Sequence, residues 1–206
     1  DVERLNVEVR TGVTATPEMI LAEKPDAVVV ATGSQPDRYV LPGADGPEVA
    51  DVTDILSGAV EPGKRVVIVD RLGFHEATSV AEFLAERGCQ VEVITQTLYV
   101  GQDLGVTLDL ETWYRRAREL GITCTPNHSA LSISEGVVTA IHNYSGQMVA
   151  FERADTVVLS VHRRADCDLY TNLKGRVAEL HRVGDCVAPR RAHGAILEGE
   201  KAGRAI

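Results

Sequence analysis

The feature that most constrains the fold is the stretch from residue 65 to residue 95, RVVIVDRLGFHEATSVAEFLAERGCQVEVIT. Two short runs of β-branched residues flank a segment in which apolar residues recur at helical spacing: Ala77, Val80, Ala81 and Leu84. Gly88 follows this segment as a helix stop. Because a helix that joins two adjacent strands makes them parallel, the stretch predicts a βαβ unit of a parallel sheet.

The loop between the first strand and the helix departs from the glycine pattern of dinucleotide-binding folds. Where G-x-G-x-x-G is expected the chain reads DRLGFHEATS, a loop two residues longer. The Asp70 carboxylate would repel a pyrophosphate, and the Leu72 side chain would occupy its approach path. The second strand ends in Thr95 and Gln96, where an NAD site offers an acid and an NADP site an arginine. The loop therefore predicts a nucleotide-binding fold that has lost ordinary NAD(P) binding.

His75 and Glu76 stand at the start of the helix and invite an acid–base or metal interpretation. No second histidine follows four residues after His75, and this pair of residues is more typical of a helix cap and dipole partner. We therefore predict no catalytic residue and no metal site. The four cysteines lack C-x-x-C spacing, which favours reduced thiols in a cytoplasmic protein.

The rest of the chain alternates strand and helix patterns. Residues 6–12 read as a half-buried strand, and residues 26–34 as a strand buried on both faces that ends in a sharp turn; a short helix with Pro17 near its start separates them. A long connection follows, with one helical turn near residues 52–56. Later segments read as an amphipathic helix with Trp113 in its core stripe, a β-meander over residues 130–155 and one more buried strand within residues 156–170.

Two turns that follow strands carry the candidate binding residues. Ala31, Thr32 and Gly33 form a turn whose small side chains leave the backbone open to a ligand. Gly184 and Asp185 place a carboxylate between a short strand and the final helix, and a helix N-terminus attracts anions. Taken together, the turns predict contact with a nucleotide.

Charge and hydropathy exclude two classes of partner. The net charge is −9, with 21 basic and 30 acidic residues, so we expect no nucleic-acid partner. No apolar run approaches the roughly 20 residues that a membrane-spanning helix needs, so we expect no membrane partner.

The order of these phrases resembles the NADH:flavin oxidoreductase family, whose members have a glutathione-reductase type architecture. PDAVVVATGSQPDRYVLPG and VGD resemble segments found across the family. The altered loop and VLSVHRRADCDLYTNLKGR resemble its amine dehydrogenase branch, which includes trimethylamine and histamine dehydrogenases. The resemblance implies an α/β fold with two interleaved Rossmann-like FAD/NAD(P)-binding domains and a β-meander. Residues 1–60 and 164–206 would form an incomplete first domain, and residues 61–163 the second.

The resemblance also implies cofactors and partners. A (β/α)₈ barrel carrying FMN and a 4Fe-4S cluster would precede this fragment, and the first domain would hold ADP or FAD against Ala31–Gly33 and Gly184–Asp185. The parent would be an oxidoreductase that oxidises a small amine or another small substrate. The fragment would be inactive alone. Its partners would be the barrel of its own parent protein and an electron-transferring flavoprotein, to which it would help electrons to pass. The alternatives are a 2,4-dienoyl-CoA reductase-like protein driven by NADPH, and a non-catalytic assembly or docking domain.

Overall fold

The computed structural model describes residues 3–37 and 41–206, so Arg38, Tyr39 and Val40 of the predicted connection lie outside the described residues. The chain divides into two compact units. Unit 1 combines the chain up to Gln35 with residues 164–206, and unit 2 spans residues 36–163. The two compact units divide after Gln35 and not near residue 60, because residues 49–51 form a strand of the unit 2 sheet.

The described residues form the following helices and strands in chain order: α1 (Pro17–Ala22), β1 (Ala27–Val30), β2 (Ser34–Pro36), β3 (Val49–Asp51), α2 (Val52–Leu56), β4 (Arg65–Asp70), α3 (His75–Ala85), β5 (Gln90–Thr95), α4 (Leu110–Glu119), β6 (Thr123–Thr125), β7 (His128–Ser134), β8 (Val137–His142), β9 (Met148–Ala150), β10 (Thr156–Ser160), β11 (Arg163–Ala165), α5 (Asp168–Leu173), β12 (Glu179–Arg182) and α6 (Ala192–Ala205). Short 3₁₀ turns add Glu3–Leu5, Gln102–Val106 and Gly184–Cys186.

Unit 2 is built on a five-stranded parallel sheet in the order β3-β10-β4-β5-β6. The predicted βαβ unit is confirmed, and the four apolar residues of the α3 stripe are fully buried. Strand alternation divides the core: Val66 and Ile68 pack with the helices, whereas Val67 and Val69 pack in a second cluster with Ile133 and other residues of the meander. The sheet is therefore covered on both faces, as its apolar strands require.

The meander and the second amphipathic helix are also as predicted. Strands β7, β8 and β9 form an antiparallel sheet. Trp113 of α4 is 2% exposed and donates its indole N–H to the Thr78 carbonyl of α3 at 3.2 Å. This bond satisfies the one polar group of a large buried side chain.

Unit 1 contains a parallel pair of strands, β1 and β12, with a small core around Val30, Leu173 and Cys186. Two predictions fail here. Residues 6–12 are exposed and form no strand, since they pair with no other described segment. Strand β1 is not buried on both faces, because Val29 is 42% exposed and only Val30 is buried.

Candidate functional site

The altered loop of unit 2 is closed by a carboxylate of its own chain. Asp70 ends β4 and is only 1% exposed. Its Oδ1 accepts the backbone N–H groups of Leu72 and Gly73, both at 2.9 Å, while its Oδ2 is buried with no hydrogen-bond partner among the described residues. Gly73 has a φ of 67°, the left-handed conformation that glycine adopts without strain. The loop thus wraps around the carboxylate.

The charge of Asp70 is set by competing effects. Burial raises the pKa of Asp70 above its ordinary value, whereas the hydrogen bonds from the Gly73 and Leu72 N–H groups and the nearby Thr95 side chain lower it. Thr95 and Ser160 stand beside Asp70 in the sheet register, and both are buried. The carboxyl ends of β4, β5 and β10 therefore carry a buried polar row, which sequence reasoning did not identify.

A second segment lies against the start of α3. The Asp103 N–H donates to the Gly73 carbonyl at 2.8 Å. His75, the first residue of α3, has its Nε2 3.5 Å from Asp109 Oδ2 and 3.4 Å from Thr107 Oγ1. Glu76 lies in the first turn of α3, as a dipole partner would, but no side chain makes a capping hydrogen bond at this helix start, and His75 contacts a neighbouring segment of the chain.

The altered loop uses two of its backbone N–H groups within the chain. In a working dinucleotide site the loop N–H groups and the helix N-terminus receive the pyrophosphate. Here Asp70 already takes the N–H groups of Leu72 and Gly73, and Asp103 holds the Gly73 carbonyl. The loop does not offer the Leu72 and Gly73 N–H groups to a pyrophosphate, and the Asp70 carboxylate would repel phosphate.

A cleft of about 270 Å³ lies in unit 2 at the same end of the sheet. It is lined by the ends of β4 and β5, including Asp70, Arg71 and Gln96, and by the first residues of β7, including His128. No pattern in the sequence indicates this cleft, because it depends on where the meander packs.

The five predicted site residues come together in unit 1. Val30 and Arg182 are register partners in the parallel pair β1 and β12, so the turns that follow both strands leave the same edge. The Ser34 hydroxyl donates to Asp185 Oδ2 at 3.1 Å and joins the two turns. Sequence reasoning missed this contribution of Ser34.

The turn at Ala31–Gly33 presents its backbone outward. Ala31 and Thr32 are exposed, and Gly33 has a φ of 81° with no atom within 4 Å of the position of a β-carbon. The Thr32 hydroxyl donates to the Asp166 carbonyl, and the Asp166 N–H donates to the Gly33 carbonyl at 3.0 Å. These bonds fix the turn while leaving open space beside Gly33, which fits the close approach of a ligand.

The turn at Gly184 and Asp185 is held more tightly. Gly184 is buried with a φ of 71°, and its N–H donates to Glu198 Oε2 of α6 at 2.8 Å. Asp185 Oδ1 accepts the N–H of Arg190 at 3.2 Å. Asp185 therefore ties the strand end to the segment that leads into α6, and its partly exposed carboxylate stands between the two turns.

Residues 3–37 and 41–206 contain no group of three or more His, Cys, Asp or Glu side chains placed to hold a metal ion, and their four cysteines are free thiols. None of the helices in these residues combines the length and apolar character needed to cross a bilayer.

Comparison with known proteins identifies relatives for the chain. Residues 50–157, just over half of the chain, match the family described as the OYE-like second alpha/beta domain. An N,N-dimethylglycine/sarcosine dehydrogenase of Chromohalobacter salexigens is 32% identical over 96% of this chain. The match covers 34% of that enzyme, so the chain spans about a third of the length of this curated relative.

Solved structures have the same fold. A 2-naphthoyl-CoA reductase in complex with 2-naphthoyl-CoA superposes with a TM-score of 0.90 at 29% identity, covering all of this chain and 30% of the reductase. Histamine dehydrogenase from Rhizobium sp. 4-9 superposes with a TM-score of 0.88 at 24% identity, covering 98% of this chain and 34% of that protein. The relatives thus include both dehydrogenases and reductases.

Proposed function

Because this chain belongs to the OYE-like second alpha/beta domain family, we propose that it is the nucleotide-binding-type region of a flavin-dependent oxidoreductase similar to the amine dehydrogenases. The observation that carries the proposal is the junction of the two unit 1 turns, where Ser34 meets Asp185 at the carboxyl ends of adjacent parallel strands. Ligands of open α/β sheets bind at such strand ends.

In this proposal unit 1 holds an ADP-like moiety, either ADP itself or the ADP half of FAD. The exposed backbone of Ala31–Gly33 would approach the ligand closely, and the Asp185 carboxylate would accept hydrogen bonds from the ribose hydroxyl groups. Gly184 would keep its turn close to α6, since a β-carbon there would lie 3.3 Å from the Ala195 β-carbon. The two units would correspond to the two interleaved domains of glutathione-reductase type proteins.

Unit 2 would not bind NAD(P) in this proposal, because Asp70 occupies the loop donors that a pyrophosphate needs. FMN and a 4Fe-4S cluster would belong to a barrel domain outside this chain, where a small amine would be oxidised. The chain would act in the cytoplasm, pack against that barrel and support electron transfer to an acceptor such as an electron-transferring flavoprotein, with no catalytic residue of its own.

The nucleotide content of the complete polypeptide tests this proposal. The reading frame that contains this chain is expressed in full, and the purified protein is denatured and its released nucleotides are identified by chromatography and mass spectrometry. FMN with ADP and without FAD is the expected result for an amine dehydrogenase-like protein. FMN with FAD would favour an NAD(P)H-driven reductase similar to 2,4-dienoyl-CoA reductase. No nucleotide at all would favour an assembly or docking domain.

A second experiment tests the location on this chain. ADP is titrated into the isotope-labelled chain, and we expect amide chemical shifts to move at residues 31–34 and 184–186. D185A should weaken ADP binding at least tenfold, whereas D26A should not, because Asp26 is exposed at the opposite end of β1. Chemical-shift changes confined to unit 2 would contradict the proposal, which places the nucleotide in unit 1.

A further inference from the structure

Two histidines face each other across the first hairpin of the meander. His128 at the start of β7 and His142 at the end of β8 are register partners, and their ring centroids lie 5.0 Å apart. One position further out, the Asn143 N–H donates to the Asn127 carbonyl at 2.8 Å. The histidines therefore occupy a non-hydrogen-bonded pair, the position of an antiparallel ladder at which opposite side chains come closest.

Each ring is anchored through its Nδ1 atom. His128 Nδ1 lies 2.7 Å from the Pro126 carbonyl, which can only accept, so this nitrogen carries a proton and Nε2 carries the lone pair. His142 Nδ1 lies 2.9 Å from the Ser145 hydroxyl oxygen. Metal-binding histidines are commonly held in this way, with a carbonyl or another oxygen accepting the proton of the nitrogen that does not bind the ion.

The second ring needs one proton shift to become a ligand. In the neutral ring without metal, His142 Nδ1 accepts the Ser145 N–H at 3.2 Å, which leaves the ring proton on Nε2. When an ion binds Nε2, the proton moves to Nδ1 and is accepted by the Ser145 hydroxyl oxygen, which already accepts the Gln147 N–H at 3.3 Å. The hairpin turn thus supplies an acceptor for the metal-binding tautomer.

The spacing of the rings matches that of a shared ion. With metal–nitrogen bonds of about 2.1 Å, two imidazoles at a tetrahedral angle place their centroids about 5 Å apart. The rings are also packed laterally, His128 against Phe151 with centroids 5.7 Å apart and His142 against Tyr144 at 6.0 Å. Both histidines are only partly buried, and His128 also lines the cleft at the end of the sheet, so an ion and its remaining ligands have access.

From this geometry we propose that His128 and His142 form a two-histidine site for a divalent transition-metal ion such as Cu²⁺, Ni²⁺ or Zn²⁺. Water or an external ligand completes the coordination, since the described residues bring no third His, Cys, Asp or Glu side chain into a group with the pair. The order of affinity follows Cu²⁺ above Ni²⁺ and Zn²⁺. Affinity falls on acidification, because an imidazolium has no lone pair for the metal.

The test uses the tag-free chain with NiCl₂ as the probe. Isothermal titration should show one Ni²⁺ bound with micromolar affinity. H128N and H142N should each weaken binding at least tenfold, because asparagine can keep the bond made at Nδ1 but offers no nitrogen in the place of Nε2. The control is H193N, which removes an exposed histidine of α6 and should bind as the unchanged chain does.

A spectrum of the unchanged chain keeps the test decisive if a variant fails to fold. In a long-range ¹H–¹⁵N correlation of the imidazoles, paramagnetic Ni²⁺ should broaden the signals of His128 and His142 first. Equal broadening of all six histidines, binding unchanged in both variants, or no binding up to millimolar Ni²⁺ would overturn the proposal.

Discussion

The backbone nitrogen of Gly73 lies 2.9 Å from the Oδ1 atom of Asp70, inside a loop that in related folds surrounds a phosphate. The same oxygen receives the Leu72 N–H, so the chain supplies its own anion to the loop. This relationship explains how a loop that has lost most of its glycines stays ordered: the Asp70 carboxylate satisfies donors that a ligand would otherwise satisfy.

Replacing Asp70 separates its role as a hydrogen-bond acceptor from its charge. D70A leaves two N–H groups without their acceptor and should lower the free energy of unfolding by about 2 kcal/mol. D70N keeps an acceptor oxygen at a similar position and should cost much less. Chemical denaturation of the three proteins measures both effects, and equal losses in D70A and D70N would contradict the assignment.

The pH dependence of these variants follows from the raised pKa of Asp70, which is caused mainly by burial. The folded chain holds this proton more tightly than the unfolded chain, in which the pKa is about 3.9. Asp70 therefore lowers the free energy of unfolding as the pH rises from about 4 through its folded pKa. Across this pH range, the free energy of unfolding of D70N should therefore rise relative to that of the unchanged chain as the pH increases. D155N, which changes an exposed carboxylate that also accepts a backbone N–H, serves as the control.

Unit 2 should show no saturable binding of NADH or NADPH at micromolar concentrations. The reason is that the N–H groups of Leu72 and Gly73 are already bonded to Asp70, while Asp103 holds the Gly73 carbonyl. Isothermal titration of the chain with each dinucleotide measures this, with ADP as the comparison ligand. Micromolar binding accompanied by chemical-shift changes at residues 71–76 would show that the loop opens.

Periodic segments of this chain could be predicted, whereas pairings between distant segments could not. The α3 stripe and the strands on either side of it repeat apolar residues with a helical or extended period, and burial in the sheet enforces that period. Strand β3 has only three residues in a region rich in glycine and proline, so it carries no period. Its place in the sheet comes from pairing with β10, about a hundred residues later.

The candidate sites also divide into those with a local sequence pattern and those that depend on pairing between distant segments. The turns at residues 31–33 and 184–185 could be found because each follows a recognisable strand pattern. The bond from the Leu72 N–H to Asp70 could have been predicted from the local sequence, because an aspartate that accepts the N–H two residues later forms a common Asx turn. The pairing of His128 with His142 had none, because their register depends on an irregularity between Ala130 and Ser132 in the hairpin.

Gly136 should be far less replaceable than Gly146, although both have a positive φ in the hairpin turns of the meander. A β-carbon at Gly136 would lie 2.2 Å from the Ala154 carbonyl oxygen, whereas no atom lies within 4 Å of that position at Gly146. G146A should lose about 1 kcal/mol of unfolding free energy through backbone strain alone. G136A should lose roughly 3 kcal/mol, because the meander must also shift. Denaturation of the two variants provides the measurement, and similar losses would contradict the predicted contact.

The Cys124 thiol should react slowly with alkylating agents. Burial raises the pKa of Cys124 to about 11, compared with about 8.5 for an unperturbed thiol. Since the thiolate is the nucleophile, its population at pH 8 is reduced roughly two-hundredfold, and the rate should rise about tenfold per pH unit until the pH approaches 11. Timed labelling with iodoacetamide, followed by mass spectrometry of the Cys124 peptide, measures the rate against free cysteine. A rate close to that of free cysteine at pH 8 would mean that β6 opens to solvent, since Cys124 lies in the middle of this edge strand of the unit 2 sheet.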